Sequence, residues 1–263
     1  MGPNSYNMFV MLNKGILLAM LGCLLILAAC APQGEVLATP TALPTPPATE
    51  TTDWFPATAT PTLMPIVELS PTPDLLPGLG TQLLIDDFSD DAVWATSQSD
   101  SSSAMLANGR ISLSTNETGN VVLSTRSEPF FGDFYAEISA SPGLCDGEDE
   151  YGFVVRAASL GDQYRFGLSC DGRAKVDRIL GGGASRPLGW LASPIIPSIM
   201  PSQARLAVWA LGSEMRFFVD DVLLFSIDNA VIFEGTLGVY IRSRGQGTLS
   251  VAFSDLQVWA LNN

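Results

Sequence analysis

The chain has 263 residues and a formal net charge of −14, because only 13 lysines and arginines face 27 aspartates and glutamates. This acidity argues against nucleic-acid binding, which needs a basic surface to neutralise phosphates, and against charge-driven docking on anionic lipid. No histidine occurs in the chain, which excludes histidine-based catalytic triads, a histidine general base and histidine metal ligands.

The first 29 residues are predicted to be a lipoprotein signal peptide. Lys14 precedes an apolar run from Gly15 to Ala29, which is about the length of a signal-peptide core and shorter than the ~20 residues of a transmembrane helix. The run ends in Leu27-Ala28-Ala29-Cys30, which resembles a lipobox. The resemblance implies cleavage before Cys30, acylation of its thiol (diacylglyceryl and palmitate chains) and anchoring in the lipid bilayer, with an extracytoplasmic domain. An ordinary signal peptide or an uncleaved anchor, in either case with an incidental Cys30, is the alternative.

Residues 30–80 are predicted to be a disordered tether. Positions 31–80 contain 11 of the chain's 18 prolines and ten threonines. Proline fixes φ and removes a hydrogen-bond donor, so neither helix nor sheet propagates through such a segment. We expect an extended, partly polyproline-II chain that acts as a stalk or spacer.

Residues 81–263 are predicted to form one all-β domain. Short β-rich runs follow one another with turn residues between them, and no helical period persists. Asn108-Gly109 and Asp171-Gly172 are typical hairpin turns. About a dozen such strands predict a β-sandwich or barrel.

Two features within this domain follow from strand alternation and cysteine placement. Tyr164 and Phe166 share one face of their strand, with Arg165 on the other face. In the preceding strand, Arg156 is expected on the face opposite to that of Phe153.

A hairpin turn near residues 160–161 brings Cys170 close to Cys145, and an extracytoplasmic domain permits a disulfide between them. Two free thiols are the alternative.

The order of several motifs is similar to that of the concanavalin A-like lectin/glucanase superfamily, particularly its LamG-like and 3-keto-disaccharide-hydrolase-like bacterial members. The motifs are Asp86-Asp87-Phe88-Ser89-Asp90, Tyr164 to Leu168 followed by Cys170 to Arg173, Arg216 to Leu224, Gly235 to Val239, and Phe253 to Val258. The resemblance implies a two-sheet antiparallel jelly-roll sandwich with adjacent first and last strands. Asp220-Asp221 stands where such domains usually carry Asn-Gly or Asp-Gly.

Candidate sugar-binding residues are aromatic side chains that can stack and arginines that can donate hydrogen bonds. The aromatic candidates are Trp190, Tyr164, Tyr240 and Trp209, and the donors are Arg156, Arg165 and Arg178. Trp190 follows a glycine-rich stretch and is expected to be exposed. Trp209 and Tyr164 fit strand patterns and favour core positions, and the arginines can instead pair with nearby carboxylates.

Acidic residues give candidates for metal binding and for catalysis. Asp146, Glu148 and Asp149 offer oxygen ligands suited to a structural Ca²⁺, although such runs are usually solvated. Glycoside hydrolysis needs two carboxyls facing one cleft. The Glu-x-Asp-x-x-Glu run of laminarinase-like enzymes is absent, so only a pair from separate strands stays open.

These features favour a surface-anchored lipoprotein that binds an extracellular ligand, a polysaccharide or cell-wall glycan, without catalysis. A glycoside-acting enzyme of the glucanase or 3-keto-glycoside hydrolase type is the first alternative. A structural or protein-interaction module of the cell envelope is the second.

Overall fold

A computed structural model describes residues 73–245 and 247–262 of the chain. These residues form an all-β domain of fifteen strands in two antiparallel sheets. None of them forms a helix long and apolar enough to cross a membrane. The predicted signal peptide, Cys30 and residues 30–72 of the predicted tether lie outside the described residues.

The first sheet has nine strands. They are β1 (Leu79–Asp86), β2 (Ser97–Gln98), β3 (Ser102–Ala107), β4 (Arg110–Thr115), β6 (Phe134–Leu144), β11 (Ala204–Leu211), β12 (Glu214–Val219), β13 (Val222–Ile227) and β15 (Leu249–Leu261). Their order is β13-β12-β11-β6-β15-β4-β3-β2, and β1 also pairs with β15. The first and last strands are therefore adjacent, as predicted.

The second sheet has six strands. They are β5 (Val121–Thr125), β7 (Glu150–Ser159), β8 (Asp162–Ser169), β9 (Arg173–Leu180), β10 (Gly183–Ala192) and β14 (Thr236–Arg242). Their order is β10-β9-β8-β7-β14-β5. Two antiparallel sheets with these crossovers confirm the predicted two-sheet sandwich.

The main core fills the space between the two sheets. Alternate residues of each strand supply it, since successive side chains of a strand point to opposite faces. Phe166 of the six-stranded sheet, for example, lies 5.2 Å from Phe217 of the nine-stranded sheet, ring centre to ring centre. The core uses one face of each sheet, and the opposite face of each sheet points outward.

The predicted disulfide is confirmed. Cys145 and Cys170 are bonded, with their Cα atoms 5.8 Å apart. The bond joins the loop after β6 to the end of β8, next to the first residues of β7. It therefore fastens the loop 145–149 to the ends of β7 and β8, two interior strands of the six-stranded sheet.

The sequence patterns do not predict strand β10, because this stretch contains glycine and proline and lacks a β-rich run. Pro187 lacks a donor for a sheet, but β10 is the edge of its sheet and pairs only with β9. Edge strands tolerate proline because one row of their backbone groups faces away from the ladder. The register between β9 and β10 is irregular on both sides of Leu188.

Candidate functional site

The outward side of the six-stranded sheet carries charged and aromatic side chains, and we call it the charged face. On β9, Ala174 and Val176 enter the core, so Lys175 and Asp177 point outward. The same alternation applies to the neighbouring strands. The sequence patterns indicate Asp177 only as a possible partner of an arginine and do not single out Lys175, although the alternation of both residues with apolar neighbours was a usable signal.

Strand register arranges this face in three rows. One row runs Val121, Arg242, Glu150, Ser169, Arg173. The middle row runs Leu123, Tyr240, Gly152, Gly167, Lys175. The third runs Thr125, Gly238, Val154, Arg165, Asp177.

Lys175 is the electrostatic centre of the charged face. It is fully buried, and its Nζ lies 2.8 Å from Glu150 Oε2 and 2.7 Å from Asp177 Oδ2. Neither contact is aligned as a hydrogen bond, so both are ion pairs. Each carboxylate is also bound by an arginine at the rim: Arg244 lies 3.1 Å from Glu150, and Arg186 lies 3.0 Å from Asp177.

Two glycines make room for Tyr240 across the middle row. A Cβ atom at Gly167 would collide with the Tyr240 hydroxyl, and one at Gly152 would lie 2.8 Å from Tyr240 Cε1. The phenol ring therefore lies flat over the backbone of β7 and β8. Among the described residues its hydroxyl has no hydrogen-bond partner, although Tyr240 is only 1% exposed. Burial, with smaller contributions from Glu150 and Asp177, raises the pKa of Tyr240 well above its usual value.

Arg165 covers this tyrosine. Its guanidinium carbon lies 5.4 Å from the centre of the Tyr240 ring, within the range of a cation–π contact. Burial lowers the pKa of Arg165, against the opposing effects of Tyr240 and Asp177. The guanidinium remains a cation because the ordinary arginine pKa lies far above neutrality.

Trp190 lies at the other side of the charged face. Its ring centre is 4.7 Å from Lys175 Nζ and 5.0 Å from the guanidinium carbon of Arg173, and the residue is half-buried. The indole thus covers two cations while part of it stays accessible. Trp190 is therefore less exposed than the sequence predicted, because edge strand β10 places its ring against the charged face.

A depression of about 440 Å³ borders the charged face beside Arg165. It is lined by Ser97, Ser102, Val121, Val122, Leu123, Leu160 and Arg165. This volume falls within the ~300–1,000 Å³ of small-ligand sites. A larger depression of about 640 Å³ lies near Gly132, Val231 and Phe233. We favour the first because it adjoins the aromatic and cationic groups.

Two predicted sugar-binding residues are buried, and the sequence-based assignment of Arg156 and Tyr164 to a sugar site is corrected here. The Arg156 guanidinium donates to the carbonyl oxygens of Gly132, Gly212 and Ile232. A positive φ of 48° at Arg156 interrupts the alternation of β7 and turns the side chain away from its expected face. The Tyr164 hydroxyl accepts a hydrogen bond from the Val231 amide.

The remaining sugar-site candidates separate from one another. Arg165, Trp190 and Tyr240 lie on the charged face, where their contact with a ligand stays a prediction. Arg178 pairs with the core-facing Tyr164 in the sheet register, and its Nε donates to the Ser185 hydroxyl. It therefore stands apart from the other three.

Trp209 lies on the outward side of the nine-stranded sheet in a second aromatic cluster with Tyr135 and Phe218. It is covered, because its indole N–H donates to the Pro77 carbonyl. Arg216 also donates to the carbonyl of Leu75. The segment that precedes β1 therefore packs over this cluster and removes Trp209 from contact with solvent.

The acidic loop binds protein groups. Asp149 Oδ1 accepts hydrogen bonds from the amides of Arg244 and Gly245, and Glu148 lies 3.1 Å from Arg173. Within the described ranges, no three Cys, Asp or Glu side chains converge to hold a metal ion. Calcium binding by Asp146, Glu148 and Asp149 stays a prediction.

The chain matches no known protein family, and no curated protein matches it. Solved structures do resemble it. The carbohydrate-binding module CBM66 from Bacillus subtilis superposes with a TM-score of 0.50 at 15% identity, over 64% of this chain and 95% of that one. A protein of unknown function with a galectin-like fold, also from Bacillus subtilis, superposes with a TM-score of 0.52 at 11% identity, over 70% of this chain and 99% of that one.

A third solved structure is a catalytic domain. The endo-1,3-β-glucanase (laminarinase) domain from Thermotoga petrophila gives a TM-score of 0.50 at 9% identity, over 70% of this chain and 98% of that one. At such identities these likenesses establish the fold alone. The shared fold is the two-sheet antiparallel jelly-roll sandwich that the sequence motifs predicted.

Proposed function

We propose that this domain binds a glycan on the charged face of its six-stranded sheet. The observation that carries the proposal is the combination of a half-buried Trp190, a Tyr240 hydroxyl without a partner and an arginine-bordered depression on one surface. Sugar rings present apolar faces and hydroxyl edges, which suit an aromatic surface ringed by donors. The names of two neighbours, a carbohydrate-binding module and a laminarinase, support a glycan as the ligand.

A glycan array with the full-length protein and the Trp190→Ala variant tests the proposal. We expect binding to a restricted set of glycans, and a loss of at least tenfold in affinity for the variant. Trp259→Ala is the control, because Trp259 lies in the aromatic cluster of the other sheet. A blank array would refute glycan binding and favour a structural or protein-interaction module.

A glycoside-acting enzyme is the second candidate, because two carboxylates meet on this face. Glu150 Oε2 and Asp177 Oδ2 contact the same Lys175 nitrogen, so they are no farther apart than the ~5–5.5 Å between the carboxyls of retaining glycosidases. Against catalysis, both are held in ion pairs and neither is free to attack or protonate a sugar. Release of reducing ends by the wild type, lost in both Glu150→Gln and Asp177→Asn, would establish the enzyme.

We further propose that the domain is displayed outside the cytoplasm on a lipid anchor at Cys30. The lipobox-like sequence supports this, and the Cys145–Cys170 disulfide fits an oxidising compartment. Metabolic labelling with a palmitate analogue should tag the wild type and leave Cys30→Ser unlabelled. Equal labelling of both proteins would refute acylation at this residue.

A further inference from the structure

We infer that the ligand of the charged face is an anionic glycan, one whose sugars carry carboxylate or sulfate groups. This inference rests on the proposed glycan-binding function and specifies the class of glycan. It begins with an uneven distribution of charge. The chain has only 13 lysines and arginines, yet six of them lie on this face or its rim. The six are Arg165, Arg173, Lys175, Arg186, Arg242 and Arg244.

Four of these six cations are neutralised by the protein itself. Lys175 pairs with both Glu150 and Asp177, and the same two carboxylates bind Arg244 and Arg186. Arg173 pairs with Asp171 at 2.6 Å and with Glu148 at 3.1 Å. These pairs fix the shape of the face and leave little positive charge available there.

Arg165 and Arg242 are different. Within the described part of the chain, neither has a carboxylate in ion-pair contact. Arg165 Nε donates only a long hydrogen bond, 3.4 Å, to Gln163 Oε1. Arg242 Nε is buried and has no hydrogen-bond partner. Both side chains are partly exposed, so a ligand can reach them.

The two arginines flank Tyr240. Arg165 lies over its ring, and Arg242 follows two positions later on the same face of β14, next to Glu150 in the register. The Tyr240 hydroxyl, which has no partner among the described residues, lies over Gly167 in the middle row. Arg165, which lines the 440 Å³ depression, and Arg242 thus lie on either side of Tyr240 on the charged face.

An anion satisfies this patch better than a sugar hydroxyl does. A guanidinium presents parallel N–H donors whose spacing matches the oxygens of a carboxylate or sulfate. A partly desolvated cation without a counter-ion is unfavourable, and an incoming anion removes that penalty, whereas a neutral hydroxyl does not. The chain as a whole is strongly acidic, so the two arginines without a carboxylate partner are the groups that we expect to attract an anionic polymer to this face.

Matched glycan pairs test the inference by titration calorimetry on the full-length protein. One pair is an oligogalacturonate and its fully methyl-esterified form, which differ only in carboxylate charge. The other is a sulfated galactan oligosaccharide and its desulfated form. We expect at least one charged member to bind tenfold or more tightly than its neutral partner. Its affinity should fall as salt rises from about 50 to 500 mM, since salt screens exposed charges.

Variants then locate the effect. Arg165→Ala and Arg242→Ala should each weaken binding of the charged glycan at least tenfold. Arg178→Ala is the matched control, because it removes an arginine of the same sheet that also lacks a carboxylate partner but lies off the charged face. Its affinity should equal that of the wild type. Thermal melting confirms that each variant is folded before it is titrated.

The outcomes separate the inference from the function on which it rests. Equal binding of charged and neutral members, or binding only of neutral glycans, overturns the inference and leaves glycan binding intact. No binding of any glycan, here and on the array, overturns both. If either arginine variant fails to fold, the charged-to-neutral ratio and the salt dependence of the wild type decide alone.

Discussion

Replacing Lys175 by methionine should destabilise the domain sharply. The change keeps the length of the side chain and removes the ammonium that lies 2.8 Å from Glu150 and 2.7 Å from Asp177. Glu150 is 1% exposed and Asp177 is 8% exposed, so water cannot replace the lost partner. Breaking a buried ion pair in this way typically costs ~3–5 kcal/mol, because an uncompensated charge remains.

The structure places the effect of Lys175→Met at the low end of that range, about 3 kcal/mol. Each carboxylate keeps one arginine, since Arg244 lies 3.1 Å from Glu150 and Arg186 lies 3.0 Å from Asp177. The triple variant that adds Glu150→Gln and Asp177→Asn removes the stranded charges. It should recover most of the loss and come within about 1 kcal/mol of the wild type.

Equilibrium urea unfolding of the full-length protein measures both variants. The control is Arg205→Met, which removes a surface ion pair with Asp221 whose side chains are 39% and 69% exposed, and should cost no more than ~1 kcal/mol. If Lys175→Met costs as little as this control, Lys175 is not the electrostatic centre of the charged face.

Three further predictions concern the same domain. Gly167→Ala should displace Tyr240 and lower the free energy of unfolding by ~1–3 kcal/mol through overpacking. We expect the variant to lose glycan binding but still to unfold cooperatively. Unchanged glycan binding would contradict the role of the glycine. The double variant Cys145→Ala/Cys170→Ala should lose about 3 kcal/mol in urea unfolding, from a bond that spans 25 positions. Burial raises the pKa of Tyr240 in the folded state. Above pH ~10 the Tyr240 hydroxyl therefore loses its proton in the unfolded chain but keeps it in the folded domain. The free energy of unfolding should then fall by up to ~1.4 kcal/mol per pH unit. Tyr240→Phe should show a shallower alkaline decline, and an identical decline would contradict the burial of that hydroxyl.

Much of the fold could be predicted from local sequence signals. Turn residues such as Asn108-Gly109 and short β-rich runs mark hairpins, because those turns match the twist of the flanking strands. The placement of Cys170 opposite the start of β7 was enough to predict the disulfide, since antiparallel register converts sequence distance into spatial distance. Asp220 and Asp221 both adopt positive φ, 47° and 66°, which is the backbone conformation that Asn-Gly usually takes in such a hairpin turn.

The positions of the site residues were harder to predict from the sequence than the fold, for physical reasons. Strand alternation assigned Arg165 correctly to the outward face, but a single positive φ at Arg156 reversed the side on which that arginine lies. The glycine- and proline-rich composition of β10 concealed a strand, and with it the position of Trp190 over Lys175. Ion pairs across strands, such as Lys175 with Glu150, depend on the exact register of two successive hairpins and on the direction of long side chains, which composition does not encode.

Hydrogen exchange with and without the tightest-binding glycan tests the central claim most directly. Our account predicts slower exchange in β8, β9 and β14, around Arg165, Lys175 and Tyr240, and no change in β11 to β13 of the other sheet. Protection confined to β11, β12 and β13 would contradict it, because the ligand would then lie on the opposite side of the sandwich.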